Sequence, residues 1–217
     1  MIPRNLWHMA SGLVRRKITK PEPGALYLYP SVWRSRAGLK DCNFGDKLTE
    51  NAFLRHMELS VWYACGSMGL LHACARNRWY FVFGSQGVRV FKDIKAFQAY
   101  EVHSRVIYWD DDWQFLLAQF KCPETGELYA EGMSRVMLRQ GRERVNPRLL
   151  HEDIGLPNLV DKEEVPELVQ KFLAWDAVAD KSMKRTADMN AIRYANRKGP
   201  AVLSAYSMNL PFAMKQE

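Results

Sequence analysis

NAFLRHMELSVWYACGSMGLLHACAR, residues 51–76, is the stretch on which the fold turns. Phe53, Met57, Val61, Ala64, Met68, Leu71 and Ala75 recur at threes and fours, which sets them on one stripe of a helical period. The second half of the stretch carries almost no charge, so the spacing predicts one long helix with a core-facing stripe. Thr49 lies just ahead as the N-cap, and Glu50 puts negative charge in the first turn, where free amides and the helix dipole favour it. Gly66 and Gly69 interrupt the middle. Each costs about 1 kcal/mol against Ala in a helix interior, so they signal a kink or a close backbone approach.

Downstream the period changes to two. Residues 79–91 are rich in aromatic and β-branched types, and Tyr100, Val102, Val106 and Tyr108 then alternate with Glu101, His103, Arg105 and Ile107. Residues 113–122 read as a third strand, the Pro123-Glu124-Thr125-Gly126 turn follows, and residues 128–139 read as its hairpin partner. Residues 26–36 read as one more strand ahead of the helix. This order predicts an α+β fold with the helix packed on one face of an antiparallel sheet.

The chain has 217 residues, of which 47% are hydrophobic and 25% charged, enough to bury a real core. No apolar run approaches the roughly 18–20 residues of a bilayer span, and no secretory core segment is visible. The net charge is +7, but residues 1–21 and 181–217 each contribute +5, which leaves −3 on the residues between them. A domain that tracks phosphates needs the opposite distribution, so nucleic-acid reading by the core is not expected.

Both ends read as extensions. In residues 1–24, Leu6, Met9, Ala10, Leu13 and Val14 form an apolar stripe among Arg4, Arg15, Arg16 and Lys17, with no acid before Glu22. An acid-free, Arg-bearing amphipathic start is the composition of a mitochondrial targeting segment; the other reading is a solvated or partner-docked helix. The middle domain spans residues 25–150. In residues 151–217, a helix over 163–180 follows a loop holding Pro147 and Pro157. Residues 199–214 are uncharged, and their apolar side chains call for a protein surface to cover them. Residues 1–24 and 181–217 are thus the expected contacts with other protein subunits.

Cys42, Cys65, Cys74 and Cys122 include no C-x-x-C pair, and no His stands at zinc-ligand spacing from them, so neither a metal site nor a disulfide framework is expected. His56 and His72 read as packed or exposed spectators, and His103 as solvent-facing. There is no phosphate-binding glycine loop and no G-x-S-x-G elbow.

Asp41-Cys42-Asn43-Phe44, then Asn51-Ala52-Phe53-Leu54-Arg55 opening the helix, and later Arg105-Val106-Ile107-Tyr108-Trp109-Asp110-Asp111 resemble the 4-hydroxybenzoyl-CoA thioesterase-like hot-dog proteins. The nearest branch is the one called thioesterase superfamily member six. The similarity runs over residues 27–147, with the Glu124-Thr125-Gly126 hairpin in the expected place. It implies a sheet wrapped around the central helix, pairing of hot-dog domains as a homo- or heterodimer, acyl-CoA as substrate and no cofactor. In such enzymes an Asp-x-Asp pair precedes the helix, followed after three residues by His-x-Asn-Asn. The second Asp attacks the thioester or activates water, while amides at the helix N-terminus polarise the carbonyl. Here the first Asp is Asp41, the catalytic position holds Asn43, the His position Lys47, and the Asn positions Thr49 and Glu50.

An amide cannot act as a carboxylate nucleophile or general base, and loss of a general base alone costs about 10²–10⁴ in rate. Glu50 and Asp46 are the candidate replacements, although a carboxylate in a first helical turn ordinarily serves the dipole. Two functions follow: a non-catalytic structural subunit of a mitochondrial assembly, or an acyl-CoA thioesterase using Glu50 or Asp46. The replaced acid favours the first.

Overall fold

Alternating side chains between residues 80 and 140 build the sheet that the pattern calls for. In the computed structural model, which describes residues 4–19, 24–157, 159 and 164–198, the elements are α1 (Arg4–Thr19), β1 (Ser31–Arg36), α2 (Glu50–Met68), α3 (Leu70–Asn77), β2 (Tyr80–Val90), β3 (Ala99–Trp109), β4 (Trp113–Lys121), β5 (Leu128–Gln140), β6 (Glu143–Val145), α4 (Pro147–Asp153) and α5 (Glu167–Lys198). The strands pair antiparallel in the order β1-β3-β4-β5-β2, with β6 extending β5. β1 and β2 lie at opposite edges, yet α2 touches both as well as β3, so the sheet curls around the helix. Gly132 makes this possible at the centre, since a Cβ there would stand 2.5 Å from the Met57 sulfur.

The buried stripe of α2 divides the core into two adjoining lobes. Phe53, Met57 and Leu59 meet Tyr100, Val102 and Phe120 in one; Val61, Ala64 and Cys65 meet Val106, Leu116 and Val136 in the other. Ser60 and Ser104 share a buried hydroxyl hydrogen bond of 2.8 Å between helix and sheet. Thr49 is the N-cap, accepting from the Ala52 amide at 3.2 Å.

Several boundaries differ from the sequence reading. The helix over 51–76 is two helices, because Gly69 takes a left-handed φ of +85° and ends α2 before α3 begins. The first strand starts at Ser31, since Leu26 adopts φ +74° within a turn. A bulge between Val106 and Tyr108 shifts β3, and Ile107 is buried. Residues after Asn146, read as loop, form α4, which Asn146 caps through the Arg148 amide and Pro147 opens. α5 runs to Lys198, so residues 181–198 are helix; 199–217 lie outside the described residues.

The chain forms two compact units, Met1–Val169 and Gln170–Glu217. Where the sequence reading divides the chain at residue 150, these units part after Val169, which is fully buried, and α1 belongs with the sheet. It packs along α2 through bare backbones: a Cβ on Gly12 would stand 2.3 Å from the Tyr63 carbonyl, and one on Gly66 2.3 Å from the Met9 carbonyl. Gly66 is therefore a close approach and Gly69 a break. No described helix is long and apolar enough to cross a membrane.

Candidate functional site

Residues 41–50 form a closed loop ahead of α2. A short 3-10 turn over Leu39–Asp41 leads in, and Cys42 bridges Leu48 across the loop. Asn43 holds the loop's shape: its side-chain oxygen accepts from the amides of Gly45 at 3.0 Å and Lys47 at 3.2 Å, and its own amide donates to the Lys47 carbonyl at 2.9 Å. Asp46 takes a left-handed φ of +60°, and its carbonyl accepts from the Ala96 amide. Lys47 pairs with Asp93 at 2.5 Å. Asn43, Asp46 and Glu50 are all exposed. The side chains of Asp46 and Glu50 make no hydrogen bond or ion pair among the described residues, and Glu50 stands in the first turn of α2 as expected. Phe44 beside them is fully exposed.

Behind this loop lies a buried polar chain that sequence reasoning missed. Arg4 of α1 donates two hydrogen bonds to the Asp41 carboxylate, at 2.8 and 2.7 Å. His56 of α2 lies 3.3 Å from the same carboxylate through Nε2, while its Nδ1 lies 2.6 Å from the Tyr100 hydroxyl. Arg4 also stands 3.3 Å from Nε2, so a neutral ring either accepts there from Arg4 and donates from Nδ1 to Tyr100, or donates from Nε2 to Asp41 and accepts from Tyr100. Trp33 packs edge-on to His8, His56 and Tyr100. His56 is therefore no spectator but the centre of the chain.

The electrostatics follow from that geometry. Hydrogen bonds from Arg4 hold the Asp41 carboxyl below its ordinary range. Desolvation lowers His56 to about 4, outweighing the opposing pull of Asp41. Burial also pushes the Tyr100 hydroxyl up. These groups stay in one protonation state at neutral pH, and His56 has no exposed surface from which to exchange a proton. The chain is built to hold α1, the loop and β3 together. Arg4 could be found in sequence as a cation, but nothing local marks its partner 37 residues away.

Other motif residues have structural tasks. Asp110 closes the β3–β4 turn by accepting from the Asp112 and Trp113 amides, and Trp109 packs against His151 of α4. Asp111 accepts from Asn146. His103 is half-buried against Glu101, at 2.9 Å, rather than solvent-facing. Cys122 was quiet in sequence, yet hydrogen bonds with Thr125 and Tyr129 lower its thiol to about 7. A cavity of about 530 Å³, lined by Arg16, Met68, His72, Arg76, Asp153 and Ile154 among others, shares no residue with the Asn43 loop. Among the described residues no group of His, Cys, Asp and Glu is arranged to hold a metal ion.

A family model described as the thioesterase-like superfamily matches residues 37–175. The probable thioesterase YBR096W of Saccharomyces cerevisiae is 25% identical over 144 residues, covering 66% of this chain and 62% of that protein. Protein THEM6 of Drosophila melanogaster is 26% identical over 136 residues, covering 63% of this chain and 66% of its own length. The chain thus spans less than two thirds of each of these curated relatives. Among solved structures, the probable thioesterase YbaW from Escherichia coli superposes with a TM-score of 0.54 at 10% identity, covering 60% of this chain and 99% of that one. That likeness establishes the hot-dog fold.

Proposed function

The chain belongs to the thioesterase-like superfamily, and from that footing we propose that it stands nearest the thioesterase superfamily member six branch, keeps the hot-dog fold without hydrolysing thioesters, and serves as a structural subunit of a mitochondrial multi-protein assembly. The observation that carries this reading is Asn43. It occupies the place where the resembled enzymes carry their reacting carboxylate, and its side-chain oxygen already accepts two amides of its own loop. An amide has no basic lone pair at neutral pH, and this one is spent on holding the turn. Asp41 offers no substitute, since Arg4 covers both of its oxygens. The acid-free, Arg-bearing start supports the mitochondrial location, and the C-terminal extension, residues 181–217, supports protein partners, with hot-dog domains pairing as a homo- or heterodimer.

One observation favours a second reading, an active acyl-CoA thioesterase. Glu50 stands exposed at the start of α2, where helix amides could polarise a carbonyl, and Asp46 is exposed on the same loop. The purified full chain, assayed by thiol release against short-, medium- and long-chain acyl-CoA esters, is expected to show no turnover above blank. Turnover that vanishes on Glu50→Gln or Asp46→Asn would replace the first reading with the second. The subunit reading further requires co-purification at fixed stoichiometry with other proteins, and a free monodisperse homodimer counts against it.

A further inference from the structure

α1 is amphipathic in the inverted sense. Successive helical residues turn by about 100°, and the face against the body carries Arg4, His8, Gly12 and Arg15, which meet Asp41, Trp33, the α2 backbone and Tyr63. The opposite face carries Leu6, Trp7, Leu13, Val14 and Ile18, with Trp7 62% and Ile18 75% exposed. A helix on a globular domain ordinarily turns its apolar stripe inward. Here the polar chain behind the Asn43 loop claims the inner face for Arg4, and glycine-to-glycine packing leaves no room for larger side chains there.

From this face we infer that α1 is a membrane-surface anchor, lying flat with its outward side chains in the headgroup region of an anionic bilayer. Charge decides among the occupants. Residues 1–21 hold no acid, and Lys17 stands exposed among the outward apolar side chains, so a second copy docked through α1 would set like charges together with no acid to answer them. The apolar segment 199–214 of this chain carries no charge to answer those cations. An anionic lipid surface answers both features at once, because apolar residues enter the acyl boundary while Lys17, exposed among them, meets phosphates. The helix forms an outer layer on α2, already ordered, so the face is presented without a folding cost. The inference goes beyond the proposed function and holds whether or not thioesters are hydrolysed.

The test is sedimentation of the full chain with phosphatidylcholine vesicles, with and without phosphatidylserine. The wild type should pellet with the anionic vesicles and progressively less as salt rises. The outward triple variant Trp7→Ser, Val14→Ser, Ile18→Ser should lose binding about tenfold or more while keeping the wild-type melting temperature. Should that variant unfold, Lys17→Glu at an exposed position reads the same question through charge, and should weaken binding several-fold. Equal pelleting of wild type and variants, equal capture by neutral vesicles, or an α1-dependent homodimer that ignores vesicles would each overturn the inference. So would an acidic protein bound through α1 by a chain that fails to sediment with lipid.

Discussion

His56 is buried, with Nε2 against Asp41 and Nδ1 against Tyr100, so charging it would carry a net positive charge into a desolvated site beside Arg4. Its folded value of about 4 lies below the ordinary 6.5. The unfolded chain therefore takes up the proton first as the pH falls. The stability this residue contributes is complete above about pH 6.5 and is lost toward pH 4, costing about 2 kcal/mol between pH 7.5 and 5. Asp41, held low by Arg4, has the same sign, and its contribution drains as the pH falls from the ordinary carboxylate range toward the lower folded value. Urea midpoints measured across this window should fall with pH in the wild type and stay flatter in His56→Gln; a parallel slope in both would refute the assignment. At this scale the sequence plainly showed an amide, Asn43, where the resembled enzymes carry a carboxylate, because chemical identity is local. It concealed His56, because a histidine's role depends on what surrounds it.

At the scale of elements, the seam between α1 and α2 rests on two glycines. A Cβ on Gly12 would meet the Tyr63 carbonyl oxygen and the Ser67 amide, both backbone atoms that cannot swing away. Gly12→Ala must therefore push α1 outward and loosen the Arg4–Asp41 pair. The expected loss is about 1–3 kcal/mol of stability, with faster hydrogen exchange along α1 and unchanged protection in β3 and β4. An unchanged melting temperature would show that the seam is slack. Periodicity found α1 and its stripe but said nothing of which face meets the domain, since that depends on partners distant in the chain. Likewise it saw one helix over residues 51–76, because apolar spacing continues across Gly69 although the backbone does not.

For the whole molecule, the position of the division between units can be tested by truncation. Ending the chain after residue 150 cuts α4, removing His151, whose ring packs on Tyr27 and Trp109, and Asp153, which pairs with Arg76. It also removes the fully buried Val169. Ending it after residue 169 spares all of these. The shorter fragment should melt about 10 °C below the longer one; equal melting would place the boundary at 150 after all. The α+β layout was legible because it is written in short-range periods, three-four in α2 and two in β3 to β5, with Thr49 marking where one begins, while the hot-dog wrapping was implied by the motif resemblance. What the sequence determined by itself was the central helix, the strands that follow it, and an amide rather than an acid at position 43. The tertiary structure alone decided that Arg4 reaches Asp41, that α1 turns its polar side inward, and that His56 links helix to sheet. Those contacts join residues 37 and 44 apart in the chain, and only the closed topology, not any local pattern, brings such partners within hydrogen-bonding distance.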